Sequence, residues 1–215
     1  SPDTRLLLFL PVAHVLARLV MHLVLSGAGV LGFSPNIKNL LPDIQAFKPS
    51  VLLVVPRVLE KVYNAASAKA GGGIKGKMFA WSAKQARTYA LAQERTFGPS
   101  LLKKARHGIA DALVLKKIRS ILGPNLRYIV SGGAPLATDL AQFYSGMGIT
   151  LLQGYGLSET TGPIAVQHVG KNPVGTVGLP LPGNFIKIAK DGEILVKGVS
   201  VMPGYYHLPD QTHQV

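Results

Sequence analysis

A single carboxylate stands among glycines and hydroxyls in the stretch QGYGLSETTG, residues 153–162. The apolar run Ile149 to Leu152 leads into it and predicts a buried strand. Segments that follow strands in open α/β sheets are where ligands collect. Glycine lets backbone approach a ligand closely, and small hydroxyls donate to phosphate oxygens. Glu159 suits Mg²⁺, which takes oxygen ligands and shares them with substrate phosphates. The same residues also describe a plain Gly-rich turn with a solvated acid.

Other stretches resemble chemical motifs and fail on context. GAGVLG (27–32) has dinucleotide-fingerprint spacing, but a helical pattern precedes it and a strand pattern runs through Val30–Phe33. The fingerprint needs the reverse order, so Gly27 and Gly29 read as a helix C-cap and turn. GGGIKGKM (71–78) approaches a P-loop but has Met78 where the metal-binding hydroxyl belongs; it reads as a flexible basic loop. In GLSET, Thr160 replaces the second glycine of a nucleophile elbow, so Ser158 is not read as a nucleophile. Six histidines form no HExxH pairing, and the absence of cysteine excludes disulfides and thiolate zinc sites. A cysteine-free chain fits a reducing compartment.

Positioning these residues requires a parallel sheet. Strand patterns fall at Leu6–Leu10, Val30–Phe33, 51–56, 126–132 and Ile149–Leu152, with helical patterns at Val12–Leu25, within 34–50 and at about Ala137–Ser145. Asn36 is a candidate cap for the second of these helices, with Pro49 beyond its end. The alternation predicts βαβ units. Residues 57–122 carry no strand signal and read as a helical insertion. From about residue 169 short strands, Gly, Pro and a turn at Asp191-Gly192 predict a small β subdomain. Trp81 and Tyr89, at helical spacing, read as core, with the wall of a ligand tunnel as the alternative. The apolar opening, residues 6–33, is interrupted by Pro11 and Arg18 and does not read as a membrane span.

The chain is 215 residues long with a net charge of +13. Twelve Lys/Arg against only Glu94 and Asp111 lie between Lys69 and Arg119. This basic segment, with Leu and Ile interleaved, suits an anionic membrane surface or an equally plain solvated helical face.

Three pieces then stand in order: SGGAPL (131–136), QGYGLSETTG (153–162) and GEILVKGVSVMPGYY (192–206), with FLPVAHVLAR (9–18) before them. Together they resemble the adenylate-forming (AMP-binding) superfamily. VPRVLEKVYN, followed by a helical insertion, is most similar to its long-chain fatty-acyl-CoA synthetase branch. The resemblance covers nearly the whole chain. It implies an α/β fold, with 1–168 an adenylate-binding subdomain and 169–215 the start of a β-rich one. It implies a ligase that joins a fatty acid to the α-phosphate of ATP, expels pyrophosphate and passes the acyl group to CoA. On that resemblance Gly133, Ala134 and Pro135 flank the adenine and Tyr155 stacks on it. Gln153, Gly154 and Gly156 shape the nucleotide loop, and Thr160 donates to the α-phosphate. Glu159 holds Mg²⁺, and His14 lines the passage where the acyl carboxylate meets the nucleotide. Its partners are a long-chain fatty acid, ATP and CoA, with peripheral membrane contact through 69–119, no nucleic acid and a cytoplasmic location. The family's phosphate loop, ribose-binding Asp and C-terminal catalytic Lys are expected outside this stretch, so it reads as a central fragment, inactive alone. An adenylating enzyme for another carboxylate and a non-catalytic lipid- or nucleotide-binding module are the alternatives.

Overall fold

Short β-branched and leucine-rich runs with no polar alternation become strands buried on both faces. The computed structural model describes residues 3–170 and 173–214. The chain runs through β1 (Arg5–Leu8), α1 (Val15–Ser26), β2 (Val30–Phe33), a 3₁₀ turn (Ile37–Asn39), α2 (Leu40–Phe47) and β3 (Val51–Val54). Helices α3 (Pro56–Ala70), α4 (Gly73–Gln93), α5 (Leu101–Ala110), a π turn (Asp111–Leu115) and α6 (Lys116–Leu122) follow. Next come β4 (Tyr128–Ser131), α7 (Thr138–Gly146), β5 (Thr150–Leu157) and β6 (Gly162–Val166). The chain ends with β7 (Leu179–Pro180), β8 (Asn184–Ile188), β9 (Ile194–Gly198) and α8 (Pro209–Thr212).

Seven strands form one sheet in the order β2-β1-β3-β4-β5-β6-β7, and β8 pairs with β9 separately. The first five are parallel; β6 and β7 are antiparallel additions. Alternate residues feed opposite faces. Leu7, Leu52, Val54 and Ile129 join the larger core with α2, α7 and the helical insertion. Leu6, Leu8 and Leu53 face the other way, against Ala17 and Val24 of α1. The order of strands across the sheet reverses between β1 and β3, which are themselves parallel; with helices on both faces this creates a topological switch point at the strands' carboxyl ends.

Local signals explain several boundaries. Asn36 Oδ1 accepts from Lys38 N–H at 2.9 Å, and Gly27 N–H closes α1 onto Leu23 O at 3.0 Å. At Asp191-Gly192 the β8–β9 hairpin turns, with Asp191 Oδ1 accepting from Glu193 N–H at 3.2 Å. Two expectations change. Residues 71–78 are not a flexible basic loop, because α4 already opens at Gly73 and takes in Lys75 and Lys77. Trp81 is 36% exposed and is not core; the buried stripe of α4 is Phe79, Ser82, Ala83, Ala86 and Ala90. Tyr89 stacks on His107 with centroids 4.0 Å apart.

Helix α7 is clamped from several sides. Tyr144 Oη donates to Leu59 O at 2.8 Å, and burial pushes its pKa up. Arg119 pairs with Asp111 in the π turn and donates to Met147 O at 2.6 Å. Gly146 lets α7 touch α4: a Cβ there would lie 2.0 Å from Ala86 O. Gly146→Ala must push two helices apart, so chemical denaturation should show a stability loss of about 1–3 kcal/mol. An unchanged midpoint would mean that this helix contact yields freely.

Candidate functional site

The parallel ladder between β4 and β5 ends at the pair Ser131 and Gln153. From there β4 turns away through Gly132 and Gly133, while β5 continues to Leu157 and folds back on β6. The expected loop after Leu152 is therefore a strand and a tight turn. A bulge falls between Tyr155 and Gly156. Gly156 is required by this close approach, since a Cβ would sit 2.0 Å from Gly162 O. That is a packing reason for the glycine, distinct from approach to a ligand.

Turn Ser158–Thr161 is held from inside. Thr160, 4% exposed, accepts from Leu157 N–H at 2.8 Å and donates to Gly162 O at 2.7 Å. These bonds offset the cost of placing β-branched Thr161 at φ +55°. Thr160 was expected to donate to a phosphate, but its proton is committed within the turn. Ser158 is exposed in the same turn. Gln153 is also structural: its N–H donates to Gln167 Oε1 at 2.9 Å. Gln167, which the sequence did not single out, spends its amide nitrogen on Pro173 O and Thr176 O. A buried glutamine between two apolar strands was the available signal.

His14 caps α1. Its Nδ1 accepts from Leu16 N–H at 3.2 Å. A neutral imidazole that accepts at Nδ1 carries its proton on Nε2, so the ring offers a donor there. A cavity of about 60 Å³ brings His14 together with Ser131, Gly133, Gly154 and Gly156. Gly133, Ala134 and Pro135 form an exposed strip after β4. Tyr155 is half-buried, paired in register with Ala165. Ala134, Pro135, Gln153, Tyr155, Glu159 and Thr160 do not line the small cavity. Behind it lies an apolar groove of about 350 Å³ between α1 and the sheet, sharing Leu16, Val130, Pro163 and Val166.

Glu159 is half-buried, and its Oε1 accepts from Tyr205 Oη at 2.6 Å. That bond, then one from its own backbone N–H, holds its pKa below the ordinary glutamate value. The same bond raises the pKa of Tyr205. Among the described residues no group of three or more His, Cys, Asp or Glu forms a metal cluster. One ionised carboxylate beside an exposed hydroxyl fits Mg²⁺, which completes its shell with phosphate and water oxygens.

A depressed folded-state pKa stabilises the fold above the unfolded value, and that contribution is lost as pH falls through the folded value. Carboxyl NMR titration should find Glu159 titrating below the ordinary glutamate value and moving up in Tyr205→Phe. Equal titration in both proteins would rule out the phenol as the cause.

Among the described residues no helix is long and apolar enough to cross a membrane. The chain is 49% identical over 94% of its length to the long-chain-fatty-acid–CoA ligase FadD15 of Mycobacterium bovis, of which it covers 34%. It is 34% identical over 96% of its length to long chain acyl-CoA synthetase 3 of Arabidopsis thaliana, covering 33% of that protein. It thus spans about a third of the curated relatives that it matches. The O-succinylbenzoate coenzyme A synthetase of Bacillus subtilis, solved in complex with ATP and magnesium ion, shares the fold at TM-score 0.60 and 18% identity. That match takes in 100% of this chain and 37% of the synthetase. The AMP-binding enzyme family matches residues 1–206, and the chain belongs to that family.

Proposed function

We propose that this chain is the adenylate-binding part of a long-chain fatty-acid–CoA ligase. The observation that carries the reading is that the small cavity at His14 adjoins the apolar groove along α1, sharing Leu16, Val130, Pro163 and Val166 with it. A substrate with a charged head for the imidazole and a long apolar tail for the groove fits that adjacency. The names of the relatives and the ATP and magnesium of the synthetase neighbour support the same chemistry.

In this reading the fatty acid's carboxylate oxygen attacks the α-phosphorus of ATP, the bond to the bridging β-oxygen breaks, and pyrophosphate leaves. The thiol of CoA then attacks the acyl carbon and loses its proton, the acyl–phosphate bond breaks, and AMP leaves. Catalysis rests on positioning and charge neutralisation. Exposed Gly133, Ala134 and Pro135 offer backbone and an apolar edge to the adenine, with the Tyr155 ring as its opposite wall. His14 Nε2–H orients the acyl carboxylate. Ser158, rather than buried Thr160, offers the free hydroxyl to phosphate, while Thr160 keeps the turn in shape. Glu159 holds Mg²⁺, which when bound neutralises phosphate charge. Residues 1–168 act as the adenylate-binding unit, with helices 57–122 inserted, and 169–215 begin a second, β-rich unit.

Palmitate-dependent ATP–pyrophosphate exchange on the full-length ligase containing this chain tests the reading. Glu159→Gln should lower exchange about 10- to 100-fold. His14→Asn, which keeps a capping side chain, should lower exchange while leaving thermal stability close to wild type. Full activity in both variants would sink the assignment.

A second observation favours membrane contact through the basic segment 69–119. Phe97 is 99% and Leu101 84% exposed, and exposed Leu102 and Ile109 lie among Lys103, Lys104 and Arg106. Apolar side chains among cations suit an anionic lipid surface. Vesicles containing phosphatidylserine should bind the protein more tightly than phosphatidylcholine vesicles, and less so as salt rises. Lys103→Glu with Lys104→Glu should weaken that binding about tenfold or more, at about 1 kcal/mol per lysine. Salt-independent binding, equal on both lipids, would argue for a solvated surface helix instead.

A further inference from the structure

The end of the β8–β9 unit sends one side chain across the fold. Tyr205 Oη donates to Glu159 Oε1 at 2.6 Å, between residues 46 positions apart in sequence. A main-chain bond runs beside it, Met202 N–H to Glu159 O at 2.8 Å. The tyrosine's support is itself fixed. Tyr205 N–H donates to Thr212 Oγ1 at 2.9 Å, and that hydroxyl donates to Leu208 O at 2.9 Å. Further back, Val199 N–H reaches Gly183 O at 3.1 Å and Ser200 N–H reaches Asn184 Oδ1 at 3.3 Å. The phenol is therefore held on a braced arm, against the one carboxylate in the β5–β6 turn.

A carboxylate has two oxygens. Oε1 of Glu159 takes the phenol, and apart from Glu159's own backbone N–H no other donor among the described residues reaches the carboxylate. We propose that Tyr205 is a positioning residue for adenylation: it fixes the Glu159 carboxylate with Oε2 open to the metal. This rests on the reading of Glu159 as the Mg²⁺ ligand. A ligating carboxylate needs an outer hydrogen-bond partner to set its orientation and to remove rotamers that point away. The VMPGYY signature then has a chemical duty in the first half-reaction, through a residue of the β-rich unit. A merely structural tie would move stability and leave metal dependence alone.

The test uses the full-length ligase that contains this chain. ATP–pyrophosphate exchange with palmitate is followed against free Mg²⁺, and Mn²⁺ affinity in the presence of AMP is read by electron paramagnetic resonance. Tyr205→Phe keeps the ring and loses the donor. Half-saturating Mg²⁺ and the Mn²⁺ Kd should both rise about 3- to 10-fold, below the range of about 10- to 100-fold usual for outer-shell partners because the pair is half-exposed. The KM for palmitate should not change. In a Glu159→Gln background, Tyr205→Phe should add nothing. A Tyr205→Phe enzyme with lower thermal stability and unchanged metal dependence overturns the proposal. Should that variant not fold, Thr212→Val removes the acceptor of Tyr205 N–H and should shift metal dependence the same way by less; no shift there also overturns it. A wild-type enzyme without Mg²⁺-dependent exchange overturns the adenylation reading itself, which separates the two failures.

Discussion

The candidate site exists because one strand outlasts its neighbour. β4 and β5 stay in parallel register only as far as Ser131 and Gln153. Beyond that pair, β5 runs on with β6 as an antiparallel partner on its other edge, and the glycine at 156 permits that close approach. The gap opened where β4 leaves is the place that His14, Gly133 and Gly154 line.

The sheet then divides labour between its faces. The larger core, closed by the helical insertion and α7, is stiffened by Tyr144, Arg119 and the Gly146–Ala86 approach. The opposite face carries α1 and an apolar groove. Rigid packing on one side thus supports an open apolar groove on the other. Helix α1 joins the groove to the small cavity, because its capping residue also lines that cavity.

Much of the fold was legible as residue patterns. Continuous apolar runs located the parallel strands, Asn36 and Gly27 marked helix ends, and Asp191-Gly192 marked a hairpin. Each is a local signal with a local cause. The misreadings have a different cause. Gly154 and Gly156 disfavour a strand intrinsically, and only pairing with β6 makes them one. Thr160 looks like a free hydroxyl in sequence, but its burial depends on the turn closing over it. The partner of Glu159 lies so far along the chain that no spacing rule reaches it. The site was thus legible as residue types, while which hydroxyl faces out and which side chain steadies the carboxylate are tertiary facts.

The long crossover between β3 and β4 has a consequence for how the molecule forms. Val54 and Ser131 are adjacent in the sheet, yet the chain between them includes four helices and the π turn. Closure entropy grows only logarithmically with length, about 0.6 kcal/mol for each doubling, so at equilibrium the detour costs little. Kinetically it costs more, because non-local pairing must wait for that closure. The helical block, rich in neighbouring contacts, can order early, and the central sheet pairing must come late. The cleft, which needs His14 at the start of α1 beside Gly133 after β4 and Gly154 in β5, is therefore among the last parts of the fold to acquire its shape.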